Sequence, residues 1–201
     1  WTALHFAAQA GHGEAVAALL STGGADVNAS TGASGRTAVH LAAKEGHTEV
    51  VLQLLAAGAA ADIPDTRGWT ALHFAAEGGH TRVLKALLRI RKADPQRTTR
   101  DHYSPLQLSA GGSHAAATRV LLEAGAVPYD DTISEAAVAD DVRVLAVFIA
   151  ARSKESYVIK QPEGDWLRCA AKEGRTKALK LLLQAGVQIA GSGALVAAAR
   201  R

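Results

Sequence analysis

The 201-residue sequence predicts an all-α protein: a solenoid of about six helix–turn–helix repeats plus a partial seventh, joined by short hairpin connectors. Three observations predict it. First, one segment returns as Trp1-Thr2-Ala3-Leu4-His5-Phe6-Ala7-Ala8, Arg36-Thr37-Ala38-Val39-His40-Leu41-Ala42-Ala43 and Trp69-Thr70-Ala71-Leu72-His73-Phe74-Ala75-Ala76, its threonines 35 and then 33 residues apart. Second, each copy runs on through Gly11-His12, Gly46-His47 or Gly79-His80 into a Val/Leu-rich stretch ending in Leu19-Leu20, Leu54-Leu55 or Leu87-Leu88. Third, a polar connector rich in Gly and Asp follows each stretch. A fixed period in this range belongs to stacked supersecondary units, so the product of the fold is surface rather than a pocket.

Each element has a local reason. The Ala-Ala pair of the first helix lets backbones approach closely, and the glycine after it ends the helix. Apolar residues three and four apart give the second helix one buried stripe, which it cannot bury alone. Connectors such as Gly58 to Gly68 read as turns projecting away from the helices. A fourth copy runs Tyr103-Ser104-Pro105-Leu106-Gln107-Leu108-Ser109-Ala110 and on to Ser113-His114, with Ser and Gln in place of Thr and His. Beyond it the copies degrade. Ile133-Ser134-Glu135-Ala136-Ala137 with Val142 to Ile149, and Leu167-Arg168-Cys169-Ala170-Ala171 with Lys177 to Leu183, keep the internal spacing, and a fragment starts near Ala194. From Leu122 to Asp131 is nine residues, against fifteen from Leu55 to Thr70, and the shortening recurs between Leu183 and Gly193. The projecting hairpin is expected to be missing at both places.

The Thr-x-Leu-His-x-Ala-Ala, Gly-His and Gly24-Ala25-Asp26-Val27-Asn28 elements resemble ankyrin repeats. The expectation is a single ankyrin-repeat domain over 1–201, regular to residue 125 and degenerate over 126–201. Because the chain opens on Trp1 inside one repeat and stops at Arg200-Arg201 inside another helical pattern, it is expected to be part of a longer polypeptide.

Composition agrees. Apolar residues make up 48% of the chain and aromatic residues 4%, which with abundant alanine suits close-packed helices better than a pocketed enzyme. No stretch approaches the ~20 apolar residues of a membrane span. The single cysteine, Cys169, excludes an intramolecular disulfide and points to a reducing, cytoplasmic or nuclear setting; its register is that of Phe6, Leu41, Phe74 and Leu108, a buried inner position.

Seven of the eight histidines fall in repeat registers, His5, His40 and His73 in the first helix and His12, His47, His80 and His114 at the turn. The ankyrin resemblance implies that these are structural, the threonine hydroxyl and the histidine three residues on satisfying one another while the second ring nitrogen reaches the neighbouring repeat. Ligands that recur once per repeat do not converge, so no metal is expected, and no cofactor. Gly111-Gly112-Ser113 and Gly191-Ser192-Gly193 lack the Lys-Ser/Thr of a nucleotide loop, and the carboxylates are separated by their registers, so no enzyme is expected within these residues.

The expected function is that of a non-enzymatic scaffold or adaptor for proteins. The resemblance implies that a partner meets the hairpin tips and the exposed ends of the inner helices on the concave face. The residues before each Thr/Ser are Trp1, Arg36, Trp69 and Tyr103, and those after each Ala-Ala are Gln9, Lys44, Glu45, Glu77 and Lys172. Three of the four tip residues are aromatic, which as a row favours a contact surface, although any one ring is as readily explained by packing on its neighbouring hairpin. The net charge of +3 hides bands: five cations against one anion over 89–100, ten anions against five cations over 101–165, and seven cations against one anion over 166–201. The basic band Arg89, Arg91, Lys92, Arg97 and Arg100, running from a helix end into the connector beside Tyr103, is placed to hold an acidic peptide segment, and Arg168, Lys172 and Arg175 at i, i+4 and i+7 are expected to make one helix face basic. The intervening acidic band disfavours a nucleic-acid track. The alternatives are a regulatory or targeting domain of a larger enzyme or channel, and a structural subunit of a multi-subunit assembly.

Overall fold

A computed structural model describes residues 1–90, 93–128, 131–152 and 164–187. Among the described residues there are twelve helices and no strand. They fall into two compact units, Trp1–Ala126 and Val127–Arg201, divided where the period of the sequence degrades. The fragment from Ala194, residues Arg91, Lys92, Tyr129 and Asp130, and the Leu183–Gly193 connector beyond Val187 lie outside the described residues.

The first unit holds four helix pairs: α1 (Ala3–Gln9) with α2 (Gly13–Ser21), α3 (Ala38–Glu45) with α4 (Thr48–Ala56), α5 (Ala71–Glu77) with α6 (Thr81–Ile90), and α7 (Pro105–Gly111) with α8 (Ala115–Glu123). The inner helices α1, α3, α5 and α7 pack side by side in one layer, and α2, α4, α6 and α8 in another. Ala42, Ala43, Ala75 and Ala76 are wholly buried, the close approach that only a methyl side chain allows. Between the layers sit Val51, Leu54, Leu84, Leu87 and Leu121, each worth ~1.5–3 kcal/mol on burial.

Every inner helix of this unit opens with the same local device. The hydroxyls of Thr2, Thr37 and Thr70 lie 2.8, 2.9 and 2.8 Å from Nδ1 of His5, His40 and His73, and the same ring atoms accept the threonine amides at 3.0–3.1 Å. Each pair forms a reciprocal capping box. Ser104 and Gln107 build its analogue in α7, Gln107 Oε1 accepting the Ser104 amide at 2.9 Å. With Nδ1 accepting, Nε2 carries the proton and donates onward: His5 to the carbonyls of Ala29 (3.0 Å) and Arg36 (3.2 Å), His40 to Ile63 (2.8 Å), His73 to Arg97 (3.0 Å). One ring thus starts a helix and fastens the connector that follows.

Three hairpin tips project from the unit, closed by amides of Thr31, Asp65 and Thr99 donating to the carbonyls of Arg36 (2.7 Å), Trp69 (2.8 Å) and Tyr103 (2.9 Å).

The second unit pairs α9 (Thr132–Val138) with α10 (Val142–Arg152) and α11 (Gly164–Lys172) with α12 (Thr176–Gln184); α9 packs on α11 and α10 on α12. Its core includes Ile133, Leu145, Phe148, Trp166 and Leu182. The expected basic helix face is corrected here. Helix α11 ends at Lys172, and Arg175 lies past the turn as the N-cap of α12, so only Arg168 and Lys172 share a helix. Cys169 is half-buried rather than buried.

Candidate protein-binding surface

The turn histidines fix the backbone at the ends of the inner helices. His47, His80 and His114 each donate Nε2–H to a carbonyl one repeat back: Gln9 at 3.0 Å, Lys44 at 2.9 Å and Glu77 at 2.9 Å. Those three acceptors are the residues that follow each Ala-Ala pair, and their side chains are exposed. The backbone is held by the next repeat while the side chain faces water. The result is a row of variable groups carried by adjacent helices, spaced by the ~8–10 Å that separates packed helix axes.

The glycines before His12, His47 and His80 are each required twice over. Gly46 has φ +78°, and a Cβ there would meet His80 Nδ1 at 2.5 Å; Gly11 has φ +73°, with His47 Cε1 at 2.6 Å. No other residue both adopts the left-handed backbone and leaves room for the imidazole.

The four tip positions divide sharply. Trp69 is corrected from an exposed ring to a buried one, only 7% exposed. It lies 4.9 Å from Phe74, under the guanidinium of Arg67 at 4.7 Å, and its amide donates to Asp65 Oδ1 at 2.9 Å. Arg36 is likewise turned inward: its Nε meets Asp65 Oδ2 at 3.3 Å, and its guanidinium sits 4.7 Å over the Phe74 ring. Phe74 is therefore met by an arginine of one repeat and a tryptophan of the next. These two residues are stack groups, because the carboxylate of Asp65 and the face of Phe74 draw them in.

Trp1 and Tyr103 remain exposed, at 56% and 48%. Trp1 pairs with Phe6 at 5.0 Å in the tilt seen for Trp69 and Phe74, but Phe6 is 60% exposed where Phe74 is 1%. Of the other sequence-predicted residues, Gln9, Lys44, Glu45, Glu77, Arg97, Arg100 and Lys172 are all exposed, Lys172 in the second unit. Arg97, Arg100 and Tyr103 share the third hairpin, and the Arg100 amide donates to the Arg67 carbonyl of the hairpin before it at 3.0 Å. At the tip His102 takes φ +63°, the position Gly68 (φ +80°) fills one repeat earlier. Sequence reasoning assigned His102 to a connector and missed this left-handed backbone and the exposed Phe6 and Arg67; the signal for His102 was its alignment with Gly35 and Gly68.

Among the described residues no three His, Cys, Asp or Glu side chains cluster as metal ligands. Nor is any described helix long and apolar enough to cross a membrane.

A family model described as ankyrin repeats (3 copies) matches residues 1–65 and 40–132. The chain belongs to the ankyrin-repeat family. Ankyrin repeats are protein–protein interaction modules, typically without enzymatic activity, and the row of exposed side chains above is the part of this ankyrin chain that varies from repeat to repeat. No curated protein matches the chain.

Proposed function

We propose that this ankyrin chain is a non-enzymatic scaffold or adaptor whose first unit binds a protein partner through the exposed ends of its inner helices and its third hairpin. The observation that carries this reading is the histidine-held row at Gln9, Lys44 and Glu77: rigid backbone, free side chains, a different chemical group in each repeat. Binding there loses little backbone entropy, since the carbonyls are already fixed. Tyr103 supplies the large ring that anchors such contacts, and Arg97 and Arg100 beside it favour an acidic stretch of the partner.

The test is affinity capture from native extract, comparing the unaltered chain with Lys44→Ala/Glu77→Ala/Tyr103→Ala. All three side chains are exposed, so thermal unfolding should move by little, ~0.5 kcal/mol per site or less. One dominant protein captured by the unaltered chain and lost with the triple variant is the expected result. Capture of the same proteins by both chains would overturn the assignment of the surface.

A further inference from the structure

Between α6 and α8, in the outer layer and away from the inner-helix row, lies a cleft of about 650 Å³. Its walls are Lys85, Leu88 and Arg89 from α6 and Val120 and Glu123 from α8, with Pro95 contributed by the loop after α6. The volume lies in the range that holds small ligands and short peptide segments.

The cleft arises from the chain's own register. Ala59 closes the end of α4 by donating its amide to Leu54, five residues back, and Ala126 closes α8 in the same way on Leu121. After α6 the corresponding bond runs from Ala93 to Leu87, six residues back. One extra residue lengthens α6 to ten residues against nine for α4 and α8, and leaves Ile90 at its end 51% exposed.

The outer surface of α6 is also where cations gather. Arg82, Lys85 and Arg89 stand at i, i+3 and i+7 and are all exposed, and Arg119 is exposed on α8. The residues aligned with Lys85 and Arg89 in α4 are Leu52 and Ala56. Neither Lys85 nor Arg89 has an ion-pair partner among the described residues. Glu123 is the one carboxylate among the described residues of the lining.

From this geometry we infer a second binding site, in which the α6–α8 cleft takes an acidic peptide segment that carries an apolar residue. A carboxylate of the segment pairs with Lys85 and Arg89, the apolar side chain rests on Leu88, Val120 and Pro95, and Glu123 accepts a peptide N–H across the cleft. A negatively charged membrane is the poorer fit. The site is a recess rather than a flat face, and Glu123 repels a continuous anionic surface but complements a peptide, which brings donors as well as carboxylates. The site is independent of the inner-helix surface, and either can fail without the other.

The experiment is fluorescence anisotropy with the labelled acidic hexapeptide EDLFED and the whole chain. The expected result is saturable binding, weakened about tenfold or more by Lys85→Glu/Arg89→Glu, and weakened as salt rises from about 0.05 to 0.3 M. Lys44→Ala/Tyr103→Ala should leave it unchanged. The substituted residues are exposed, and circular dichroism checks that each variant keeps its fold. The proposal is overturned by absence of binding, by equal binding of the charge-reversed variant, by equal binding of the neutral analogue QNLFQN, or by binding to phosphatidylserine vesicles without binding to the peptide.

Discussion

In the first unit neighbouring repeats are joined by imidazole N–H groups that donate to carbonyls; in the second a carboxylate accepts from a helix N-terminus. The register is shared. Gly11, Gly46, Gly79, Ser113, Asp140 and Gly174 all hold the left-handed turn between the helices of a pair, with φ from +57° to +78°. In the first three the following repeat brings a histidine against the turn, and only glycine fits. In the second unit, where repeat six carries Arg175 at the histidine position, the glycine rule relaxes, to aspartate at Asp140. Asp140 then makes the inter-repeat link itself, its Oδ1 accepting the Ala178 amide in the first turn of α12 at 2.7 Å. An αL aspartate costs about 1–2 kcal/mol of backbone strain, which the satisfied helix N-terminus offsets. The comparison teaches that loss of the family's consensus does not mean loss of coupling: the link has changed from donor to acceptor.

Acid should separate the two units most strongly. Burial pushes His40 and His73 down to about 4 from 6.5, outweighing the Ile63 and Arg97 carbonyls that favour the charged ring. Between pH 6.5 and 4 the unfolded chain binds protons that the folded chain does not, so stability is fully present above 6.5 and falls as pH drops towards 4. The loss is about 3 kcal/mol per histidine. The second unit has no histidine. Hydrogen exchange followed by mass spectrometry at pH 7 and pH 4.5 should show protection collapsing in peptides from 1–126 and surviving in those from 164–187. Equal loss in both would refute the staple as the acid-sensitive element.

The glycine register gives the next largest effect. Gly46→Ala forces αL strain and a clash with the His80 ring and is expected to cost about 3 kcal/mol or more. Gly174→Ala meets the same φ penalty, +67°, with nothing within 4 Å, and should cost about 1–2 kcal/mol. Urea unfolding of the two variants measures the difference, and similar losses would mean that the histidine yields easily.

Smaller still is the exchange of link chemistry. His80→Ala removes one exposed hydrogen bond and should cost about 1 kcal/mol. Asp140→Gly removes the Ala178 cap but relieves the left-handed strain, and is expected to be within about 1 kcal/mol of neutral, whereas Asp140→Ala loses the cap and keeps the strain. If Asp140→Gly proves as harmful as Asp140→Ala, the carboxylate contributes more than an ordinary cap.

Much of this was legible in residue order. The Thr-x-x-His spacing joins residues three positions apart, so the capping boxes are written into each repeat, whereas the turn histidines reach carbonyls a whole repeat back and were legible only as a pattern copied between repeats. The tip residues were not legible in the same way. Trp1, Arg36, Trp69 and Tyr103 occupy one register, yet two of them are drawn into the stack and two face water. The extra residue after Leu87 was present in the numbering, but its consequence, a cleft against α8, depends on a helix more than twenty-five residues further on.

The sequence by itself determined the repeat period, the helix starts, the histidine staples and the family, because these rest on contacts within one repeat or on a pattern copied between repeats. Only the tertiary structure decided that Trp69 and Arg36 are core while Tyr103 is surface. A side chain's exposure is set by what the adjacent repeats place beside it: Asp65 and Phe74 come to Arg36 from some thirty residues away, and Arg67 caps Trp69 from its own hairpin.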